Sequence, residues 1–399
     1  TLDKKRQKAV EKAAFEVISG MHDRHFVVDV YQAGAGTSQN MNVNEVIANR
    51  AIEILGGKKG DYSIVHPNDH VNMAQSTNDT IPTSLYISAF EAVSDDLLPS
   101  LDGLKSALAS KAKEFDGIVK AGRTHMQDAV PIRLGQEFGA YAEAVRKDTA
   151  RIKNVSRSLL LLPIGGNATG TGINAHKNFR ASVIREIGKM TGVKFKGCDN
   201  LFEGIQNIST ALELSASLRG TSATLIKIAN DLRLLSSGPR TGFAEIRLPA
   251  VQPGSSIMPG KVNPVMPEML TMVCFQVMGN DTAIAYATQA SQLELNVMMP
   301  VIAHNLLFSI EILSNSIRAF TEKCVTGIEA DAERCLDYAE ATLAMATALN
   351  PFIGYAAAAE ISKEAYRTGK TVRQLVVEKG IMDKDRARRV LDPRRLTGR

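Results

Sequence analysis

Apolar positions along this chain recur mainly at intervals of three and four residues, the period of an α-helix with one buried stripe. Leu101, Leu104, Leu108, Ala112 and Phe115 keep that spacing, as do Leu225, Ile228, Leu232 and Leu235, whose run stops at Ser237-Gly238-Pro239. The pattern predicts helices over residues 132–160, 200–236, 265–290 and 296–326, several of them apolar on more than one face. Such helices belong inside a bundle or at a subunit interface. Residues 1–20 predict a charged amphipathic helix ending at Gly20, and residues 43–55 a helix stopped by Gly56-Gly57. Strand-like alternation is nearly absent; Phe26-Val27-Val28-Asp29-Val30 is its best short case. After Asn350-Pro351 the helices become shorter and more charged.

Five polar, turn-rich islands interrupt this background, at 34–38, 66–70, 75–79, 122–128 and 254–263. The first lies in a small, glycine-broken loop predicted over 31–42, and His125 in the fourth reads as part of a loop leading into a helix. The last, Gly254-Ser255-Ser256-Ile257-Met258-Pro259-Gly260-Lys261-Val262-Asn263-Pro264, combines glycine and proline breaks with two hydroxyls, a lysine and a carboxamide. Such a shaped loop can aim successive backbone N–H groups at one point and so hold an oxyanion. Lys261 adds a point charge for a carboxylate, and Asn263 a donor amide. Hydroxyls, amides and one or two cations together suit a small dicarboxylate.

Composition narrows this picture. At 399 residues the chain should form two or three domains unless a long bundle serves as its spine. Aromatics are only 5 % and Trp is absent, which favours helix over sheet. The net charge of +5 is too small for a nucleic-acid footprint. The basic tail (Lys384, Arg386, Arg388, Arg389, Arg394, Arg395, Arg399) has no interleaved aromatics and reads as a solvated helical face. No apolar run is long enough to span a membrane. Cys198, Cys274, Cys324 and Cys335 show no paired spacing, and reduced, buried thiols in a cytoplasmic protein are expected. Because the chain opens at Thr1 without Met, an incomplete N-terminal segment is also expected.

His125 is the best candidate for a titrating group, with Glu268, in the first turn after the 254–264 loop, as its carboxylate partner. His66 and His70 flank Pro67 without a third ligand nearby, so no metal site is expected. Gly165-Gly166-Asn167-Ala168-Thr169-Gly170-Thr171-Gly172 lacks the strand and the Lys-Ser/Thr of a phosphate loop and reads as a tight connection. No Gly-x-Ser-x-Gly elbow is present, so Ser255 reads as a base or hydrogen-bonding group rather than an acyl-transfer nucleophile.

Taken together, the islands resemble those of the fumarase/aspartase superfamily. Gly254–Pro264 matches its mobile catalytic loop at every residue, Val65–Asn72 and Gly122–Asp128 match two further regions, and Gly34–Asn42 resembles its substrate loop. The resemblance implies an all-α, three-domain subunit: 1–75 as an N-terminal helical domain, 76–332 as a long central bundle and 333–399 as a small C-terminal domain. It implies a homotetramer with a shared helical core, active sites assembled from more than one subunit, and no organic cofactor. The implied reaction is an elimination that releases fumarate. Ser255 would be the base, with His125 and Glu268 at the far end of the substrate. Thr37, Ser38, Ser76, Thr77, Asn78, Thr124, Ser256, Lys261 and Asn263 would bind the dicarboxylate, and His66, Asn68 and Asp69 would form a secondary dicarboxylate site. Ala35-Gly36-Thr37-Ser38, Ser76-Thr77-Asn78-Asp79 and the run from Asn263 to Glu268 are similar to aspartases, whereas Leu270-Thr271-Met272 is similar to class II fumarases. The expectation is therefore deamination of L-aspartate, with hydration of fumarate as the alternative and an inactive helical scaffold below both.

Overall fold

The computed structural model describes residues 2–398; Thr1 and Arg399, the last basic residue of the tail, lie outside the described residues. Helices form where the 3.6-residue period predicts them. α1 (Lys4–Ile18), α2 (Thr37–Ile54), α3 (Thr77–Ala92) and α4 (Leu98–Glu114) lead into a hairpin of β1 (Val119–Thr124) and β2 (Gln127–Arg133). Then come α5 (Leu134–Val155), β3 (Leu161–Leu162), α6 (Phe179–Thr191), β4 (Lys196–Gly197), α7 (Leu201–Gln206), α8 (Ser209–Leu235) and β5 (Ile246–Arg247). The chain continues with α9 (Val265–Gln289), α10 (Met299–Lys323), β6 (Glu329–Ala330) and the shorter α11 (Ala332–Ala341), α12 (Asn350–Ile353), α13 (Tyr355–Thr368), α14 (Val372–Glu378) and α15 (Lys384–Val390). Among the described residues sheet is confined to three two-stranded patches, so the fold is all-α as expected. No described helix is long and apolar enough to cross a membrane.

The chain divides into two compact units. One comprises Thr1–Leu98, Ala150–Ser222 and Phe275–Leu313. In it α1 lies against α2 through Ala9, Ala13, Ala48 and Ala51, small residues that let two backbones approach. Ser215 on α8 donates to Asp281 on α9 at 2.7 Å, and Asn280 on α9 donates to Ser309 on α10 at 2.9 Å. These buried polar cross-links fix register among helices that also pack through buried apolar residues such as Leu214, Leu218, Ile302 and Leu306. The other unit comprises Pro99–Thr149, Ala223–Cys274 and Ser314–Arg399. There Leu225, Ile228 and Leu232 of α8 are buried, and the C-terminal helices build a core of their own around Leu349, Ile361, Leu375 and Leu391. On α9, Met272, Phe275 and Tyr286 stay 64, 59 and 67 % exposed, so this helix is apolar on a face its own chain does not bury.

Four local expectations need correction. Helix α2 begins at Thr37, not near residue 43, because Gly36 (φ 82°) turns the chain straight into it and Asn40 and Asn44 find buried partners. Residues 26–30 form no strand, for lack of a paired edge among the described residues. The 200–236 helix is two helices, since Asn207 takes the N–H of Ser209 on its side chain and starts α8 afresh. Residues 122–128 do not lead into a helix but form the tip of the β1–β2 hairpin.

Candidate active site

The 254–264 segment folds back on itself through bonds between near neighbours. A Cβ at Gly254 would run into the carbonyl of Lys261, so only glycine permits this close return. Asn263 Nδ2 donates to Gly254 O at 2.8 Å and closes the root of the loop. Lys261 Nζ donates to Asn263 Oδ1 at 2.8 Å. Ser255 Oγ accepts two backbone N–H groups, from Ile257 at 3.2 Å and Met258 at 3.0 Å. Donors arranged this way stabilise negative charge on the acceptor and so favour an ionised hydroxyl. Ser256 is exposed beside it, and Ile257 at the tip is 85 % exposed, the position of an apolar cover rather than a core residue.

Thr124 and His125 stand exposed at the hairpin tip. His125 and Met126 both have positive φ, 55° and 61°, the signature of a tight I′-type turn that normally takes Asn-Gly. Two side chains held in that region cost on the order of 1–3 kcal/mol each, a strain that persists only where surrounding structure enforces it. Among the described residues the His125 ring makes no hydrogen bond. Glu268, in the first turn of α9, lies 3.9 Å from Arg233 Nη2 and does not pair with His125 within one chain. These groups all belong to the second unit.

The other islands belong to the first unit. Ala35 N donates to Val297 O at 2.8 Å, and Thr37 Oγ1 donates to Gly34 O at 3.1 Å, which leaves Thr37 exposed and Ser38 half-buried at the start of α2. Thr77 is buried, and its hydroxyl accepts Asn40 Nδ2 at 2.9 Å; Asn40 and Asn44 also both reach Asn72 Oδ1, at 3.4 and 3.2 Å. Ser76 caps α3 by accepting the Asn78 N–H, and Asp79 completes the capping box by taking the Ser76 N–H at 3.0 Å. Asp79 is fully buried, and its second oxygen accepts Gly165 N at 3.0 Å and Asn167 N at 2.7 Å. Burial pushes its carboxyl above the ordinary range despite these donors. Asn78 Nδ2 reaches Ala168 O at 2.8 Å, so the 165–172 segment is a connection folded around Asp79 rather than a free loop. Sequence reasoning missed Asn40, Asn72 and Asp79 as supports; the Ser-x-x-Asp spacing at 76–79 was the available signal for the last.

His66, Asn68 and Asp69 form one turn ahead of Asn72. His66 Nδ1 accepts both Asn68 N and Asp69 N at 3.2 Å, and His70 Nδ1 accepts the His66 N–H at 2.8 Å. The two imidazoles thus spend a nitrogen each on local backbone, and no group of three or more His, Cys, Asp and Glu suited to a metal ion occurs among the described residues.

Comparison with known proteins identifies the family. A family model described as "Lyase" matches residues 1–279, and one described as "Fumarase C C-terminus" matches residues 345–398. The chain is 49 % identical over 389 residues to the aspartate ammonia-lyase of Bacillus subtilis, covering 98 % of this chain and 82 % of that protein. It is 50 % identical over 398 residues to the class II fumarate hydratase of Halobacterium salinarum, covering 100 and 84 %. A solved structure of "fumarate lyase:delta crystallin" from Brucella melitensis bound to cobalt superposes with a TM-score of 0.95 at 47 % identity, covering 100 % of this chain and 86 % of that one. By these matches the chain belongs to the fumarase/aspartase superfamily and is a lyase.

Proposed function

We propose that this lyase is an aspartate ammonia-lyase, converting L-aspartate reversibly to fumarate and ammonia. The observation that carries the elimination chemistry is Ser255 Oγ receiving two backbone N–H groups on a loop that also holds Lys261. An unperturbed hydroxyl is far too weakly acidic to act as a base, whereas an alkoxide in such a nest is stabilised where it is needed. Ser255 takes a proton from the carbon next to one carboxylate. The C–H electron pair moves into that carboxylate and gives a dianionic aci-carboxylate, which lid N–H groups, Lys261 and Asn263 stabilise. The pair then returns to form the carbon–carbon double bond as the C–N bond breaks and ammonia leaves. Closure of the lid excludes water from these steps.

Thr37, Ser38, Ser76, Thr77, Asn78, Thr124 and Ser256 form the binding shell, and His125 attends the far end of the substrate or its leaving group. His66, Asn68 and Asp69 form a secondary dicarboxylate site. We further assign a subunit of three domains (1–75, 76–332 and 333–399) and a homotetramer of shared active sites, in which Glu268 meets His125 across chains. The exposed Met272, Phe275 and Tyr286 on α9 support that assembly.

Ammonia is favoured over water as the leaving group because Ala35-Gly36-Thr37-Ser38 and Ser76-Thr77-Asn78-Asp79 have aspartase-like forms. The second reading, a class II fumarate hydratase, is favoured by Leu270-Thr271-Met272. Incubation with L-aspartate and L-malate in separate cuvettes, following fumarate absorbance, tests both. Fumarate from aspartate is expected; fumarate from malate alone would overturn the aspartase assignment, and product from neither would favour an inactive scaffold.

A further inference from the structure

Behind the His125 turn, within the same unit, lies an ionic cluster of four residues, two of them buried. Lys120 is 2 % exposed and Glu245 fully buried, and Lys120 Nζ lies 2.9 Å from Glu137 Oε2 and 3.1 Å from Glu245 Oε2. Arg123 Nη1 lies 2.9 and 3.0 Å from the two oxygens of Glu245. The Arg123 guanidinium also sits 4.2 Å from the centre of the Phe243 ring and 5.4 Å from that of Tyr338. Two cations face two carboxylates, so charge balances inside the protein, and removing one partner leaves another unpaired.

Strand geometry makes the arrangement specific. Residues three apart on a regular strand point to opposite faces. Here the β1–β2 register slips between Ala121 and Arg123: Gly122 on β1 faces two residues, Ala129 and Val130, on a bulged β2. A Cβ on Gly122 would stand 2.7 Å from the Val130 carbonyl, so glycine is what the bulge accepts. On either side of this irregularity Lys120 and Arg123 both reach one carboxylate, that of Glu245. Glu245 is itself immobilised: its N–H donates to Leu235 O at 2.9 Å, and its carbonyl accepts Asp331 N at 2.9 Å.

We propose that Glu245 is a positioning residue for His125. By gripping Lys120 and Arg123 it holds the end of β1 rigid, and so enforces the positive-φ turn at His125-Met126 that would otherwise relax. It also stands ten residues before Ser255, and so ties the turn to the segment that leads into the lid. This inference rests on the reading of His125 as a residue that acts on substrate.

The test uses the full-length oligomer with isotope-labelled histidine, the His125 ring signal being assigned by its loss in His125→Asn. Glu245→Gln removes the anchoring charge; Arg123→Lys keeps every charge and guards against a folding failure of the first variant. For Arg123→Lys the expected result is a melting temperature close to wild type, a His125 ring signal that shifts or broadens, and kcat lower by up to about 10²-fold with KM little changed. An unmoved His125 signal with wild-type kcat in the folded variants overturns the proposal. The two readings separate cleanly. If His125→Asn keeps full kcat while Arg123→Lys moves the ring signal, the role of His125 fails and the anchor stands. If His125→Asn abolishes turnover while Arg123→Lys leaves signal and rate unchanged, the anchor fails and His125 stands.

Discussion

Lys261 Nζ donates to Asn263 Oδ1 at 2.8 Å, and Asn263 in turn ties the root of the 254–264 loop to Gly254, so the lysine is held by an amide of its own loop. An amide oxygen is a neutral acceptor, whereas a carboxylate adds a full opposite charge to the lysine's bond. On the proposed reading, exchange of partners hands Lys261 to the dicarboxylate and releases only the Oδ1 of Asn263, while its Nδ2 keeps the bond to Gly254. Removing one preorganised donor of this kind costs about 10²–10³ in turnover, so Lys261→Ala should lower kcat/KM by that factor with little change in melting temperature. Steady-state kinetics on whichever substrate yields fumarate would check it; a loss below threefold would separate Lys261 from the chemistry.

Ser255 is half-exposed, and among the described residues its hydroxyl bonds only to N–H groups two and three residues ahead, so the fold does not depend on it. Ser255→Ala should fold normally and bind substrate, while kcat falls by roughly 10²–10⁴, the usual yield of a positioned base. Single-turnover measurement at saturating substrate distinguishes lost chemistry from lost binding. Full activity in this variant would refute the assignment of Ser255 as the base.

The shape of the 254–264 loop was legible in the sequence because everything that forms it is local: two N–H groups on Ser255, a lysine two residues from its amide, and a glycine where the chain crosses itself. The long helices were legible for a similar reason, since Leu101, Leu104 and Leu108 carry their period openly. The hairpin at 119–133 was not. Its turn residues, His125 and Met126, are poor choices for positive φ, and what enforces the turn is Glu245, 122 residues from Arg123. The buried hydroxyl of Thr77 accepts Asn40 Nδ2, a bond that spans 37 residues and that no local pattern reports.

Asp79 shows how such a distant support can be tested. Its carboxylate accepts three backbone N–H groups, one from the α3 cap and two from the 165–167 segment. Asp79→Asn turns an amide NH₂ against at least one of those donors in a fully buried place, which costs about 1–3 kcal/mol. Loss of that clamp frees Asn78 from Ala168, so KM should rise along with a lower melting temperature. A variant with unchanged KM would confine Asp79 to stability alone.

The last prediction concerns acid stability. Glu16 keeps its carboxyl at about 2, against an ordinary 4.5, chiefly because Arg50 Nε (2.5 Å) and Nη2 (3.3 Å) bond it, with His22 Nε2 at 3.2 Å adding to the effect. A carboxyl whose folded value is depressed contributes stability that is fully present above about pH 4.5, where the unfolded chain is also ionised. Below that the unfolded state takes up the proton first, and the contribution fades as pH falls towards 2. Arg50→Gln removes the main cause. The melting temperature of the wild type should therefore exceed that of the variant most at neutral pH, and the gap should narrow between pH 4.5 and 2. Melting curves of both proteins across that range decide the matter: a gap that stays constant with pH would show that Arg50 stabilises the fold through packing of its aliphatic stem and not through the charge on Glu16.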